Sequence, residues 1–380
     1  MKIAIIAESF LPHFNGVTNS VLRALEHFAA RGHEAVVICP AAARLDELRG
    51  KGVPGSAHGF PVHTVPSVPL ATYPAVRLAT VSTLRLRRLL ADVRPDVVHL
   101  ASPFVLGWKA QCAAEQLGIP TVAMYQTEVP NYANRYKMPW LTQRLWDHVR
   151  TVHSSADLTL VPSSFSQDQL AALGVPRLSL LGRGVDTEQF TPTRRDAAFR
   201  KAIAPNGERL IGFVGRLAAE KQVEDLRVLN DLENTRLVIV GSGPMEPSLR
   251  QALPGAHFTG FLSGTRLASV MASLDVFVHT GESETFCQTI QESMACAVPV
   301  VAVGRGGPLD LVDSSRTGWL YQPGALDDLR ARVVDLAYDD AKRLAFGQAA
   351  QRAVQGRSWE SIGDQLLAHY RSVCRSYATS

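Results

Sequence analysis

At 380 residues the chain is too long for a single core and suits two or three domains of about 100–200 residues each. Hydrophobic residues make up 46% and charged residues 19%, a globular balance that excludes disorder and collagen-like repeats. A net charge of +4 is too mild to argue for nucleic acid as a partner, and no apolar run reaches the roughly 20 residues that a membrane-spanning helix needs.

The first apolar run, KIAIIA (2–7), stops at Glu8, too early for a secretory signal, so a cytoplasmic chain is expected. The five cysteines (Cys39, Cys112, Cys287, Cys296 and Cys374) form no CxxC pair, which fits a reduced compartment. A helical pattern over Val17–Arg31 follows, then the short runs AVVICP (35–40), DVVHLA (96–101), PTVAMY (120–125) and LTLVPS (158–163). Each precedes a helix-like stretch, the pattern of buried parallel strands in a doubly wound α/β sheet. Residues 187–209 break the alternation with polar residues, two prolines and an Asn-Gly turn, as an inter-domain connection would. It resumes with LIGFVG (210–215), RLVIVG (236–241), HFTG (257–260), DVFVHT (275–280) and VPVVAV (298–303). Two Rossmann-like domains are therefore expected, over 1–187 and 188–358, with a final amphipathic helix from Trp359 within 359–380.

Four segments carry candidate chemistry. The loop from Glu8 to Gly16 ends at a helix start, where free backbone amides suit an anion, although a plain turn explains it as well. Arg216 and Lys221, leaving the first strand of the second half, could clamp a diphosphate; the bland alternative is a solvated helix start with Glu220 pairing locally. Gly241 and Gly243 fit either a close backbone approach or a tight turn. In HTGESETFCQTIQESMACAVPVV (279–301), Glu284 and Glu292 stand eight residues apart, ~12 Å along the axis if one helix covers both. That helix would aim the amides of Thr285, Phe286 and Cys287 at a ligand. Its carboxylates are too far apart for the close pair of a retaining glycosidase.

Together, Glu284-x7-Glu292, GRLAAEK (215–221), VGSGP (240–244), the ESFLPHFNG loop, GRGGPLDLV (304–312) and TGWL (317–320) resemble the retaining family-4 glycosyltransferases of GT-B fold. The resemblance implies two Rossmann-like domains facing a cleft, with a nucleotide-sugar donor on the C-terminal domain and the acceptor on the N-terminal one. It places Arg216 and Lys221 on the diphosphate, Glu284 on the donor sugar, Glu292 on the ribose, and the Phe261 and Leu262 backbone at the base. The Gly16 loop would close near the phosphates, and the last helix would cross back onto the N-terminal domain. The implied mechanism is metal-independent front-face transfer; no DxD-type aspartate pair follows a strand, and no separate cofactor is expected. Where many relatives carry a histidine, this chain has Gln126 after Tyr125, which can contact a sugar or acceptor but cannot titrate. His13 and His153 are expected to be surface or structural histidines.

YQTEVPNYA (125–133), with the Glu284 segment, is most similar to actinobacterial GDP-mannose-dependent α-mannosyltransferases of glycolipid and phosphatidylinositol mannoside synthesis. UDP-sugar-dependent glucosyl- or sulfoquinovosyl-diacylglycerol transferases share these segments and are the alternative, followed by a non-hydrolysing sugar-nucleotide epimerase. A two-lobed sugar-binding protein would have no use for a diphosphate clamp. A lipid acceptor requires a membrane-facing surface, and residues 76–94 carry Arg77, Arg85, Arg87, Arg88 and Arg94 among leucines and valines. That pattern fits a basic helix lying peripherally on the anionic inner face of the plasma membrane, or equally a helix with its apolar side in the core and its arginines solvated.

Overall fold

The structure, a computed structural model, describes residues 1–13, 15–43, 50, 52–70, 73–128 and 139–379. Phe14 in the first loop, 71–72 in the Pro-rich stretch and 129–133 of the YQTEVPNYA motif lie outside the described residues. One unit draws on Met1–Pro130, Trp140–Arg183 and Trp359–Ser380, and the other on Asn131–Pro139 and Gly184–Ser358.

The first unit contains β1 (Lys2–Ala7), β2 (Glu34–Pro40), β3 (Ser56–Ala57), β4 (Phe60–Val65), β5 (Ser67–Leu70), β6 (Tyr73–Ala79), β7 (Val97–Ala101), β8 (Thr121–Met124), β9 (Leu158–Val161) and β10 (Leu178–Leu180). Eight of these form one sheet in the order β10-β9-β8-β7-β1-β2-β4-β3, parallel except for the β3–β4 pair. The central strands are buried on both faces, so Ile3, Ile5 and Val37 serve one apolar cluster while Ala4, Ile6 and Val36 serve the other. The helix Trp359–Ala378 lays Leu366, Leu367, Tyr370 and Val373 into the first of these clusters. It packs beside the helix Gly16–Ala30, where Arg31 reaches Asp364 at 2.7 Å and Glu360 at 2.9 Å, and His27 meets Asp364 at 2.9 Å.

Residues 76–94 are not one basic helix. Residues 73–79 form β6, antiparallel to β5, and Arg77 bonds the Ser67 hydroxyl and carbonyl from that strand. The helix is limited to Thr83–Val93, capped by Ser82, with Leu86 and Leu90 fully buried and Arg85, Arg87 and Arg88 exposed. The apolar side thus belongs to the core, and the arginines form a charged outer face.

The second unit holds β11 (Arg209–Val214), β12 (Thr235–Val240), β13 (His257–Gly260), β14 (Val276–His279), β15 (Val300–Val303) and β16 (Gly318–Tyr321) in one parallel sheet, ordered β13-β12-β11-β14-β15-β16. The polar stretch 187–209 is not a free connector. Phe190 is buried in this unit's core, and Phe199 and Ile203 of the helix Ala197–Ile203 pack against it. Arg195 and Arg200 both bind buried Asp275 at 2.9 Å, and that carboxylate also accepts from the Leu210 amide at 2.8 Å. Three donors on one carboxylate satisfy it in a place where an unpaired charge would be costly.

Candidate active site

In an open parallel sheet, ligands lie beyond the carboxyl ends of the strands, where the strand order switches direction. In the second unit that point falls between β11 and β14. The loop leaving β11 carries Gly215, Arg216 and Lys221, and the loop leaving β14 begins after His279 and carries Glu284. Thr280 donates its hydroxyl to the Lys221 carbonyl at 2.8 Å, and the Glu282 amide donates to the Gln222 side chain at 3.2 Å. These bonds join the two loops.

Lys221 ends the 3-10 turn Ala219–Lys221, and its ammonium pairs with Glu284 Oε1. His279 Nε2 lies 3.1 Å from the same oxygen. Neither ring nitrogen of His279 has a hydrogen-bond partner, so this approach is ionic rather than a directed bond. Burial alone would raise the Glu284 pKa, but Lys221 and His279 outweigh it and hold the carboxyl at about 2. Burial likewise pulls His279 down, yet the Cys287 sulfur and the Glu284 carboxylate raise it to about 9. His279 was absent from the sequence-based candidates; a histidine closing a wholly apolar strand was the available signal.

The helix expected to cover both glutamates is shorter, spanning Gln288–Ala295. Glu284 therefore stands in the loop before it, and the amides of Thr285, Phe286 and Cys287 belong to a bend rather than to the first helical turn. Two features stop the helix from starting earlier. Cys287 is left-handed at φ 75°, and the Glu284 carbonyl accepts from the Gly307 amide at 2.8 Å instead of from a helical neighbour. A Cβ at position 307 would fall 2.2 Å from the Phe286 carbonyl oxygen, so only glycine permits this contact. Glu292 lies within the helix, half-buried.

Arg216 forms the local pair with Glu220, whose side chain is 1% exposed. Its loop rests on the VGSGP turn: the Leu217 amide donates to the Ser242 carbonyl at 3.0 Å, and a Cβ at Gly241 would lie 1.9 Å from the Gly215 carbonyl oxygen. Close approach therefore decides the role of that glycine. Phe261, 63% exposed, and the partly buried Leu262 follow β13, the strand at the edge of the sheet. The sheet thus brings Lys221, Glu284 and the 285–287 segment together, with Arg216 on the same loop as Lys221.

In the first unit, Gly16 opens its helix, but the Asn15 side chain already accepts from the Val17 and Thr18 amides at 3.0 Å each, so those two are not free for an anion. Arg183 donates to the Gly16 carbonyl at 3.2 Å and to Gln126 Oε1 at 2.8 Å, joining both candidates. Sequence reading missed Arg183, which follows a three-residue strand with a weak apolar signal. It also missed a structural role for Glu8. That half-buried carboxylate accepts from the Phe104 and Gly107 amides at 2.7 and 2.9 Å, covering the start of the helix Leu106–Glu115, which has no side-chain cap of its own. His13 is exposed, and His153 is buried against Thr159 with its pKa pushed down to about 3 by burial. Both match their expected structural or surface roles.

Among the described residues, one group of three potential metal ligands converges: His279, Glu284 and Cys287, with ligand atoms all within 4.8 Å of one another.

Two Rossmann-like units built on largely parallel sheets are the architecture of the GT-B class of glycosyltransferase, and solved members share the fold. Anabaena HepE in complex with UDP superposes with a TM-score of 0.79 at 19% identity, covering 98% of this chain and all of that one. The Glycosyltransferase Family 4 model matches residues 14–189, and the Glycosyl transferases group 1 model matches residues 194–353. A GDP-mannose-dependent alpha-mannosyltransferase of Mycolicibacterium smegmatis is 46% identical over 98% of both chains. A protein of the same description from Mycobacterium tuberculosis is 44% identical, over 98% of this chain and 97% of its own. The chain belongs to this family of glycosyltransferases and is an enzyme of that kind.

Proposed function

We propose that the protein transfers mannose from GDP-mannose, with retention, onto a lipid-linked acceptor in α linkage. The observation that carries this reading is the Lys221–Glu284 pair at the switch point, in a chain 46% identical to a GDP-mannose-dependent alpha-mannosyltransferase. Arg216 and Lys221 bind the diphosphate, and Glu284 binds the sugar hydroxyls. Glu292 takes the ribose, the backbone at Phe261 and Leu262 meets the base, and the amides of Thr285, Phe286 and Cys287 face the phosphates. Gly16 and Gln126, joined by Arg183, contact the donor or acceptor from the first unit.

In the reaction the bond from the anomeric carbon to the phosphate oxygen breaks, while the acceptor oxygen bonds to that carbon on the same face. The acceptor proton passes to the departing diphosphate. Arg216 and Lys221 stabilise the charge that develops there, so the transfer needs no metal and no covalent intermediate. Lys221 is suited to this because its pairing with Glu284 places a cation at the site before the donor arrives. The outer face of Arg85, Arg87 and Arg88 would attract an anionic lipid surface by charge, since Leu86 and Leu90 are committed to the core.

Calorimetric titration with GDP, GDP-mannose, UDP and UDP-glucose, with and without EDTA, tests the donor assignment. Guanine-selective binding indifferent to EDTA is expected. Uridine-selective binding would overturn it in favour of a UDP-sugar transferase.

A further inference from the structure

A set of potential metal ligands, overlapping the proposed donor site at Glu284 and Cys287, is built into the loop after β14. His279, Glu284 and Cys287 converge there from a strand end, a loop and the residue before a helix. A tetrahedral zinc ion bonds nitrogen and oxygen at about 2.0–2.1 Å and sulfur at about 2.3 Å, which sets neighbouring ligand atoms about 3.3–3.6 Å apart. The His279 Nε2 to Glu284 Oε1 distance is 3.1 Å, and no ligand pair exceeds 4.8 Å. Closing the set around one ion thus takes shifts of roughly 1 Å, within reach of side-chain rotation.

His279 supplies an independent observation. Its side chain is only 2% exposed, yet both ring nitrogens lack a hydrogen-bond partner. Buried imidazoles normally satisfy their nitrogens with directed bonds, and this one instead faces a carboxylate and a thiol, two groups that ligate metals.

We propose that His279, Glu284 and Cys287 form a binding site for a soft divalent cation, zinc above all, and that filling it shuts the donor site. Imidazole, thiolate and carboxylate suit zinc, whereas magnesium asks for an octahedron of oxygens. A water completes the fourth position. On binding, the Cys287 thiol and the protonated His279 ring each give one proton to solvent. The ion takes the carboxylate oxygen on which Lys221 rests, and the two cations repel, so Lys221 is expelled. Zinc is here an inhibitor rather than a cofactor, consistent with a transfer step that uses none. The block on the donor rests on the proposed roles of Lys221 and Glu284; occupancy of the metal site does not.

Cobalt(II) is the probe, because a cobalt–thiolate bond absorbs in the near ultraviolet. Titrating the full-length protein with cobalt(II) is expected to give a one-equivalent thiolate band that zinc removes and excess magnesium leaves alone. C287G should abolish the band while keeping the fold, since glycine is at ease at φ 75°. H279Q should weaken cobalt binding at least tenfold. Zinc should inhibit transfer over the concentration range in which it displaces cobalt, reversibly with EDTA. No band, or a band that survives C287G, overturns the site. A normal band with GDP binding indifferent to zinc overturns the block alone. A normal band in a protein that binds no guanine nucleotide contradicts the donor assignment and leaves the metal site standing.

Discussion

Replacing Glu284 with glutamine separates the nucleotide from the sugar in the donor site. In the wild type the carboxyl pKa is held down from 4.5 to about 2, a preference for the ionised form worth about 3 kcal/mol at 1.36 kcal/mol per pH unit. The glutamine keeps the side-chain shape but loses that charge, so Lys221 is released toward an incoming diphosphate. A hydrogen bond from a sugar hydroxyl to a carboxylate contributes about 1.5–3 kcal/mol, and its loss should lower kcat/KM about ten- to hundred-fold. GDP, which has no sugar, should bind E284Q as well as it binds the wild type, or a few-fold tighter. Calorimetry with GDP alongside initial rates of mannosyl transfer gives both numbers from one preparation. Equal loss of GDP affinity and turnover would refute the sugar role, and so would unchanged turnover.

Because His279 is raised from 6.5 to about 9, its favourable contribution is complete below about pH 6.5 and is lost as pH climbs through about 9. Melting curves of wild type and H279Q should therefore differ most near pH 6.5 and converge above pH 9; a gap that widens with pH contradicts this. Gly307→Ala forces a Cβ to within 2.2 Å of the Phe286 carbonyl oxygen, and should cost about 1–3 kcal/mol of stability and raise the donor KM. An unchanged Tm and KM would show that the loop yields freely. Neutralising Arg85, Arg87 and Arg88 together should weaken flotation with anionic liposomes by up to about a hundred-fold at low salt, at about 1 kcal/mol per charge, while soluble-acceptor turnover persists. Undiminished flotation places any membrane contact elsewhere.

The central strands were legible because parallel strands are buried on both faces, which turns KIAIIA and LVIV into unbroken apolar runs. β4 is FPVHTV, with only Val62 and Val65 buried, so its pattern carried little signal. The stretch 187–209 read as a linker because its apolar anchors, Phe190, Phe199 and Ile203, are scattered among polar residues, and its ionic ones, Arg195, Arg200 and Asp275, find each other only after the chain has folded. The 279–301 segment was read correctly as loop, helix and strand, but not where its helix begins, since that depends on a left-handed Cys287 and on an amide twenty residues downstream. That Lys221 meets Glu284 follows from β11 lying beside β14, and strand order is a tertiary fact with no local trace. The pairing of Arg183 with Gln126 was hidden for the same reason.

The helix Trp359–Ala378 has a consequence for biosynthesis. The apolar core of the second unit lies wholly between Gly184 and Ser358, whereas the core of the first needs Leu366, Leu367, Tyr370 and Val373. A ribosome releases the whole of the later-encoded unit before it supplies the piece that seals the earlier one. Until then Phe28 and the face of β1 beneath that helix stay uncovered, so the order of completion reverses the order of translation. A nascent chain halted near residue 358 would hold a complete second core and an unfinished first one, and chaperone binding to such stalled chains should concentrate on the first 183 residues.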